Sequence, residues 1–284
     1  MQQDTWIITG ANRGFGRSLA AAALANGHNV VAAVRDPKQL DDLAAAHPGR
    51  LAAIAFDVTD TEAAPGLAAA ALERFGRIDA LVNNAGGAVV GAVEEVADRR
   101  LRDQMDLHLF GPAALVRAVL PAMRAQGRGT IVQMSSQGGR ISFPGVSAYS
   151  ASKFALEGWS ESLAGEVAPF GVRVMIVEPS RFRTGFHGAL DFADAAAAYG
   201  DSLAAVRADM AGVAGRQEGD PDKAARIILD LVAADDPPLR LPLGAEAVRR
   251  LADAHRHGLA EVNRLADIAR SADFDAVAPS VRPV

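Results

Sequence analysis

Short apolar runs alternate with longer amphipathic segments along most of the chain, from near its start to residue 243. Seven of the apolar runs predict β-strands: Trp6–Ile8, Val30–Val34, Leu51–Phe56, Ala80–Val82, Gly129–Met134, Val172–Val177 and Leu239–Leu241. Most of these runs are continuously apolar and do not alternate with polar residues. That pattern is typical of strands that are buried on both faces of a sheet.

Six segments with helical periodicity lie between or after these strands: Gly14–Asn26, Lys38–Ala46, Thr61–Phe75, Arg100–Gln126, Tyr149–Ala168 and Pro221–Ala233. The alternation of strands and helices predicts an α/β fold, with a doubly wound parallel sheet of about seven strands and helices on both faces. Ligands of such sheets bind beyond the carboxyl ends of the strands. Motifs that directly follow a predicted strand are therefore the first candidates for a functional site.

Two segments fall outside this alternation, and we expect both to belong to a single domain that spans residues 1–284. Residues 185–219 contain no clear strand and are longer than an ordinary connection, which predicts a substrate lid or a helical insertion. Aromatic and methionine side chains in this segment either face a substrate or pack a surface helical hairpin. Residues 244–284 predict a C-terminal helical extension that ends in a loose tail.

The composition narrows the class of protein. Of the 284 residues, 50% are hydrophobic and 22% are charged, which is ordinary for a globular chain with ample material for a core. The net charge of −5 argues against nucleic acid or an anionic membrane as a partner. The chain has no cysteine, so disulfides and thiol chemistry are excluded.

No signal peptide and no membrane-spanning stretch is visible, so we expect a cytoplasmic enzyme. We expect no metal site either. His255 and His257 lie in a charged helical stretch that offers no further set of ligands.

A glycine-rich turn follows the first predicted strand. Its sequence is TGANRGFG, and its candidate cofactor-binding residues are Gly10, Asn12, Arg13, Gly14, Phe15 and Gly16. Glycines between a strand and a helix allow a tight turn and let the backbone approach a pyrophosphate at the positive end of the helix dipole. A glycine trio is a weak signal alone, but this position in the chain favours a dinucleotide site.

The end of the second predicted strand bears on the choice of cofactor. Sites for NAD usually present an acid there to the ribose hydroxyls, whereas this chain places Arg35 directly after Val34. Together with Arg13, Arg35 can bind a 2′-phosphate with bidentate geometry, which favours NADP(H). Asp36 is the competing observation, because it can serve a ribose instead, and NAD(H) is the second choice.

Tyr149 and Lys153, in the motif YSASK, are spaced to lie on one face of a helix. A tyrosine has an ordinary pKa of about 10, and lowering it by about 3 units takes about 4 kcal/mol. One ammonium group at ~4 Å and an effective dielectric constant of ~20 supplies about that much. Conversely, a neutral phenol can donate a proton to a carbonyl oxygen. Ser136, which follows the fifth predicted strand, would hold that oxygen.

These motifs together make the chain resemble the short-chain dehydrogenase/reductase family over roughly residues 5–243. The motifs TGANRGFG, FDVTD, NNAG, SSQGG, YSASK and VEPSRFRT arrive in the family's order. The resemblance implies a Rossmann-type fold, and it implies that Ser136, Tyr149 and Lys153 form the catalytic trio. It further implies that Lys153 binds the nicotinamide ribose.

The same resemblance implies further cofactor contacts. Asp57, with Val58 beside it, would bind the adenine, and Thr184 would bind the carboxamide. In the NNAG turn, Ala85 and Gly86 would flank the ribose. Asn84 would do so too, or would be mainly structural. The family's usual Pro-Gly is replaced here by Pro179 and Ser180, which is expected to stiffen the turn under the nicotinamide.

His108 departs from the family pattern. Many family members have an asparagine three residues before a glycine in this helix, where its main-chain carbonyl holds a water that links the lysine to solvent; here that position precedes Gly111. Three readings stay open, in this order. The histidine is a structural substitute, it relays protons with its near-neutral pKa, or its presence marks lost activity.

The resemblance implies an NADP(H)-dependent oxidoreductase that interconverts a carbonyl and an alcohol. The apolar lid indicates a hydrophobic small-molecule substrate, with Phe143, Val146 and Phe186 as pocket walls. Two alternatives stay open: an NADP-binding sensor without turnover, and a dehydratase or epimerase on the same scaffold. The family also implies a homodimer or homotetramer through a four-helix bundle of the helices Arg100–Gln126 and Tyr149–Ala168.

Overall fold

The computed structural model describes residues 3–274 and residue 277. The strands in this part of the chain are β1 (Thr5–Thr9), β2 (Asn29–Val34), β3 (Leu51–Ala55), β4 (Ala80–Asn83), β5 (Val89–Val90), β6 (Gly129–Met134), β7 (Val172–Pro179), β8 (Asp191–Phe192) and β9 (Arg240–Leu243). Seven of them form one sheet in the order β3-β2-β1-β4-β6-β7-β9, in which every neighbouring pair is parallel. All seven predicted strands, and the doubly wound parallel sheet, are confirmed.

The helices are α1 (Gly14–Ala25), α2 (Asp41–Ala46), α3 (Ala64–Phe75), α4 (Asp98–Met105), α5 (Gly111–Gln126), α6 (Ser147–Val167), α7 (Gly200–Gly212), α8 (Pro221–Ala233) and α9 (Ala245–Arg270). All six predicted helices have a helical counterpart. The helices predicted over residues 38–46 and 61–75 each begin with a 3₁₀ turn, at residues 37–40 and 61–63, which continues into the shorter α2 and α3.

Both faces of the sheet are covered, as the continuous apolar runs predict. In β1 the side chains of Trp6 and Ile8 join a core with α1 and α8, whereas Ile7 joins the core under α3, α5 and α6. All three side chains are at most 2% exposed. Burying an apolar side chain of this size contributes about 1.5–3 kcal/mol, so a strand buried on two faces gains almost twice what a half-buried strand gains.

The long helix predicted over residues 100–126 is wrong in one respect. It is interrupted by a π-helical turn over residues 106–110, between α4 and α5. Pro112 favours the break, because it has no N–H to donate to the carbonyl of His108, four residues earlier. Pro121 lies inside α5 without such a turn, so a proline alone does not account for it. π turns are frequent at functional sites.

The segment expected to be a lid contains α7 and a short strand that the sequence analysis missed. Strand β8 pairs with β5, which was also missed, and the two form a small separate parallel sheet. Strands of two residues carry too little periodicity to be predicted. Side-chain contacts fasten α7 as well, because Arg207 pairs with Glu95 at 2.6 Å and Arg181 pairs with Asp209.

The C-terminal extension is helical, as predicted, over α9. The tail that was expected to be loose lies outside the described residues, except for residue 277. None of the helices in the described part of the chain combines the length and the hydropathy that crossing a membrane requires.

Candidate active site

A cavity of about 810 Å³ opens at the carboxyl ends of the central strands. Nearly every residue proposed from the sequence for a cofactor, a substrate or catalysis lines it: Gly10, Asn12, Arg13, Gly14, Phe15, Arg35, Asp57, Val58, Asn84, Ala85, Gly86, His108, Ser136, Phe143, Val146, Tyr149, Lys153, Pro179, Thr184 and Phe186. The exception is Gly16, which lies in the first turn of α1 behind the cavity wall. A volume in this range suits a ligand larger than a small metabolite.

The glycine turn forms one wall of the cavity. Gly10 and Gly14 have φ angles of +64° and +53°, in the left-handed region that glycine adopts without strain. A side chain on Gly14 would also approach Thr184 to within 2.8 Å. Arg13 precedes α1 without capping it, so the first backbone N–H groups of that helix face the turn without a side-chain partner.

The residues that bear on the choice between NADP(H) and NAD(H) lie at the rim of the cavity beyond β2. Arg13 and Arg35 are both exposed there. Asp36, the competing acid, accepts hydrogen bonds from the Lys38 N–H at 3.2 Å and from Gln39 Nε2 at 3.3 Å. Its carboxylate therefore caps the 3₁₀ turn that follows, whereas no side-chain hydrogen bond is seen for Arg13 or Arg35 among the described residues.

Asp57 follows β3 and forms a turn of its own. One carboxylate oxygen accepts hydrogen bonds from the N–H of Thr59 at 2.9 Å and from its hydroxyl at 2.8 Å. These bonds lower the pKa of Asp57 and keep it ionised. An ionised carboxylate at this position is a fixed hydrogen-bond acceptor.

Asn84 lines the cavity and also braces the NNAG turn. Its Nδ2 donates to the carbonyl of Thr9 at 2.8 Å, and its N–H donates to the Thr9 hydroxyl at 2.9 Å. The N–H of Ala85 donates to the same hydroxyl at 3.0 Å. Thr9 thus fastens the end of β4 to the end of β1.

Ser136, Tyr149 and Lys153 meet at the inner part of the cavity. Ser136 follows β6, and its Oγ accepts a hydrogen bond from the N–H of Gly138 at 3.0 Å. Tyr149 and Lys153 come from the first two turns of α6, and the Lys153 Nζ lies 5.9 Å from the centre of the Tyr149 ring. Nζ donates a hydrogen bond of 2.7 Å to the carbonyl of Met134.

The acidities at this site differ from the expectation that Lys153 lowers the pKa of Tyr149. Burial raises the pKa of Tyr149 to about 12, although a hydrogen bond with Ser136 opposes the rise. Burial also lowers the pKa of Lys153 to about 7. Desolvation is the largest cause of both shifts, and the hydrogen bond of Nζ goes to the carbonyl of Met134. Tyr149 is therefore a neutral phenol in this state.

The ring of His108 is buried, with 1% exposed, and it forms two hydrogen bonds. Nε2 accepts from the N–H of Gly87 at 3.3 Å, and Nδ1 lies 2.8 Å from the hydroxyl of Ser152. Since the N–H of Gly87 can only donate, the neutral ring carries its proton on Nδ1 and donates to Ser152. The Ser152 hydroxyl then donates to the carbonyl of Tyr149 at 2.7 Å.

This hydrogen-bond chain bears on the three readings of His108. Burial, with the charge of Lys153, holds the pKa of His108 well below its ordinary value. A second ring proton would also point at the N–H of Gly87. Both observations favour the structural substitute over the proton relay. Pro112 has no N–H and cannot donate to the main-chain carbonyl of His108. This supports the role that the resemblance implies for that carbonyl, which is to hold a water.

Replacing His108 with asparagine is expected to retain most of the turnover and to lower the free energy of unfolding by about 1 kcal/mol, because a shorter amide replaces one of two hydrogen bonds. Chemical denaturation and steady-state kinetics measure the two effects. His108→Leu is the comparison, and it should cost about 1–3 kcal/mol by leaving the Gly87 N–H unpaired. A folded but nearly inactive His108→Asn would instead place the imidazole among the catalytic groups.

The outer part of the cavity is apolar. Val146 is buried, and the ring of Phe186 packs at 6.1 Å from that of Tyr149. Phe143 lies under the guanidinium of Arg250, which comes from α9, at 5.2 Å. Leu190 and Met210, from the lid segment, complete this wall. The apolar surface therefore adjoins Tyr149 directly.

Two residues that support the site were missed in the sequence. Ser152 lies inside the motif YSASK and adjoins Lys153, which was a usable signal. Thr9 begins the glycine-rich motif, but its hydroxyl contacts with residues 75 positions later could not be read from spacing.

Comparison with known proteins decides the family. The profile described as short chain dehydrogenase matches residues 4–193, about two thirds of the chain.

The chain belongs to the short-chain dehydrogenase family.

Two relatives in this dehydrogenase family cover most of the chain. Oxidoreductase BOA17 of Botryotinia fuckeliana is 39% identical over 245 residues, which cover 86% of this chain and 89% of that protein. The 3-ketodihydrosphingosine reductase of Bacteroides thetaiotaomicron is 34% identical over 251 residues, which cover 86% of this chain and 89% of that protein.

Solved short-chain dehydrogenases share the fold. One from Streptomyces avermitilis has a TM-score of 0.90 and 47% identity, covering 96% of this chain and 99% of that one. A metagenomic short-chain oxidoreductase in complex with NADP has a TM-score of 0.67 and 28% identity, covering 85% and 96%. One from Burkholderia phymatum in complex with NAD, with a TM-score of 0.74, 23% identity and 99% coverage of both chains, shows the fold alone.

The residues of this short-chain dehydrogenase fit a nicotinamide dinucleotide. The glycine turn leaves space that a Cβ would fill, and the uncapped start of α1 offers N–H donors for a pyrophosphate. Asp57 supplies an ionised acceptor at one end of the cavity, and the trio around Tyr149 lies at the other. The cavity thus has a donor set for phosphates and a separate reactive end.

Proposed function

We propose that the protein is an NADP(H)-dependent oxidoreductase that interconverts a hydrophobic ketone or aldehyde and its alcohol. One observation carries this proposal. The side chains of Ser136, Tyr149 and Lys153 line the same cavity as the glycine turn, so a proton donor lies within reach of a dinucleotide bound there. Membership of the family supports oxidoreductase chemistry in general. The trio beside the glycine turn supports the more specific proposal of proton exchange with a carbonyl oxygen.

Each residue of the trio has a separate task in this proposal. The Ser136 Oγ accepts from the N–H of Gly138, and its hydroxyl hydrogen-bonds with Tyr149, so Ser136 lies where it can hold the substrate oxygen beside the phenol. Tyr149 donates its proton to the same oxygen as the carbonyl is reduced. Lys153 stabilises the phenolate that remains. The bound reduced nicotinamide supplies the hydride.

The acidity of Tyr149 fits the role of a proton donor. With its pKa raised to about 12, Tyr149 is protonated at neutral pH and is ready to act as an acid. Burial lowers the pKa of Lys153 to about 7, so the lysine is still partly charged at neutral pH, and that charge favours the phenolate that remains after the transfer.

Hydride transfer to ketones tests the proposal against its two rivals. The purified protein is mixed with NADPH and a panel of aromatic, polyketide-like, steroid and retinoid carbonyl compounds, and the absorbance of the reduced nicotinamide is followed. We expect a loss of absorbance with at least one apolar ketone. Tight NADPH binding without any consumption would favour the sensor, and product formation without net consumption would favour the dehydratase or epimerase.

NADPH preference is assigned to Arg35. Arg35→Ala is expected to weaken NADPH binding about 10- to 100-fold and to leave NADH binding unchanged, because a charge-assisted hydrogen bond to the 2′-phosphate contributes about 1.5–3 kcal/mol. Isothermal titration with both cofactors measures this. Arg264→Ala, at an exposed arginine of α9, is the matched control. An unchanged ratio of the two affinities in Arg35→Ala would remove Arg35 from the account.

The apolar wall beside Tyr149 supports a hydrophobic substrate, and the relative named 3-ketodihydrosphingosine reductase is consistent with a carbonyl substrate. We place the enzyme in the cytoplasm, as a homodimer or homotetramer. Exposed aromatic side chains on the bundle-forming helices support the assembly: Phe110 is 52% exposed and Phe154 of α6 is 45% exposed.

A further inference from the structure

A cluster of buried ionic side chains lies behind the catalytic lysine, and the function proposed above does not use it. Glu157 of α6 and Glu178 of β7 are 3% and 1% exposed. Arg240 of β9 forms ion pairs with both carboxylates, and Arg140 pairs with Glu178 at 3.2 Å. Carboxylates are rarely buried this deeply, so the cluster calls for an explanation.

The helix periodicity places this cluster in line with the reactive groups. Tyr149, Lys153 and Glu157 are each separated by four residues, so they follow one another along one face of α6. The lysine therefore lies between the phenol on one side and a buried carboxylate on the other. The ammonium itself donates to Met134, so Glu157 acts on it through its charge.

The surroundings hold the Glu157 side chain in place. Its Oε2 accepts a hydrogen bond from Arg240, whereas its Oε1 is buried and has no hydrogen-bond partner. The hydroxyl of Ser135 faces the same point: a Cβ on Gly139 would approach the Ser135 Oγ to 2.6 Å and the Glu157 Oε1 to 3.0 Å. Only a glycine at position 139 leaves this space for the carboxylate.

A buried ammonium requires a compensating negative charge. Lys153 is 5% exposed, and burial alone favours its neutral form. The carboxylate of Glu157 opposes this loss of charge and raises the pKa of Lys153. Without such an anion the lysine would be mainly uncharged at neutral pH, and it could not stabilise a phenolate at Tyr149.

We propose that Glu157 is a positioning residue, whose buried carboxylate, anchored by Arg240 of β9, maintains the charge of Lys153. The anchor matters because burial and the charge of Glu178 raise the pKa of Glu157 itself, while Ser135 and Arg240 oppose that rise. Strand β9 thus contributes to the active site without touching it. The effect of Glu157 on the charge of Lys153 is independent of the proposed function. Only the use of that charge, to stabilise a phenolate at Tyr149, rests on it.

The charged groups that face Glu157 come from four elements. Lys153 and Glu161 lie on its own helix, Glu178 comes from β7, and Arg240 comes from β9. Arg140 reaches Glu178 from the turn after β6 and also contacts His255 of α9 at 2.6 Å. Glu161 pairs with the same Arg240 but has a side chain that is 64% exposed, which makes it a matched control for Glu157.

The pKa of Lys153 can be measured directly, because the chain contains only three lysines, Lys38, Lys153 and Lys223. In protein labelled with ¹³C at the lysine ε-carbon, each ammonium titrates as a separate NMR signal without cofactor or substrate. Lys38 and Lys223 are exposed and serve as internal references. Lys153→Met identifies the third signal.

Glu157→Gln is expected to lower the pKa of Lys153 by about 1 unit or more, as the loss of a nearby opposite charge predicts. Glu161→Gln should leave it unchanged, and Glu157→Asp should restore most of the wild-type value. An unchanged pKa of Lys153 in Glu157→Gln would overturn the proposal. If that variant does not fold, Ser135→Ala should lower the same pKa in the same direction, and an unchanged value there would overturn the proposal.

Kinetics separates this proposal from the proposed function. In Glu157→Gln, the alkaline limb of the kcat profile against pH should move to lower pH while KM stays constant, whereas a purely structural role would lower activity equally at all pH values. If the protein consumes no NADPH with any ketone, the function fails, and the NMR titration still decides the assignment of Glu157.

Discussion

Replacing Tyr149 with phenylalanine is expected to lower kcat/KM for ketone reduction by about 10²- to 10⁴-fold, the range that a positioned general acid supplies. The change removes one oxygen atom and keeps the ring, which packs against His108 at 5.6 Å and Phe186 at 6.1 Å. The fold and the cofactor site should therefore persist. Consumption of NADPH with the best ketone of the panel measures the loss.

Two controls isolate the phenol. Tyr199→Phe changes the only other tyrosine, which lies in the lid segment, and should leave turnover unchanged. NADPH binding to Tyr149→Phe, followed by fluorescence, should stay within about threefold of the wild type, since each tenfold change corresponds to about 1.4 kcal/mol. Wild-type turnover in Tyr149→Phe would mean that another group donates the proton.

Replacing Gly16 with alanine is expected to lower the free energy of unfolding by about 1–3 kcal/mol and to weaken NADPH binding at least about tenfold. A Cβ at this position would overlap the carbonyl oxygen of Gly10 and approach the Asn84 Nδ2 to 2.5 Å. The start of α1 and the glycine turn would have to separate. That separation displaces the N–H groups that face the cavity.

Gly66→Ala is the matched control, because Gly66 also lies in a helix but a Cβ there meets nothing within 4 Å. Alanine should increase stability at this site by up to about 1 kcal/mol. Thermal denaturation and NADPH titration of both variants measure the contrast. If Gly16→Ala were as stable as Gly66→Ala and bound NADPH normally, the close approach at Gly16 would have no functional consequence.

Much of the fold was accessible from the sequence because its signals are local. A run such as Val30–Val34 is long enough and apolar enough to identify a strand buried on both faces, and the five inner strands of the sheet (β2, β1, β4, β6 and β7) follow this rule. The edge strands β3 and β9 are less buried. The glycine turn and the motif YSASK lie directly after or near strands. The parallel topology then brings their side chains to one edge of the sheet.

What the sequence analysis missed depends on contacts between distant positions. Arg240 forms an ion pair with Glu157, 83 residues earlier in the chain, and the local sequence pattern around either residue does not predict this pair. The acidity of Tyr149 was mispredicted for a related reason. Spacing placed Lys153 beside the ring, but it could not show that the ammonium donates to Met134 or that both groups are desolvated.

The π turn could be predicted from the sequence only in part. Pro112 was visible in the sequence, and its missing N–H favours a break in the helix. The form of the break was not foreseeable, since the buried ring of His108 and its contacts with Gly87 and Ser152 hold the turn from the inside. The histidine is thus explained by two partners on other elements.

The central claim is that hydride and proton reach one carbonyl group in this cavity, and isotope transfer tests it most directly. The enzyme is supplied with NADPH that carries deuterium at the transferable position of the nicotinamide, together with the best ketone of the panel, and the alcohol is analysed by mass spectrometry. We predict deuterium on the carbinol carbon, with a rate that falls about 10²- to 10⁴-fold in Tyr149→Phe. Alcohol without deuterium, or labelled alcohol formed at the wild-type rate by Tyr149→Phe, would contradict the account.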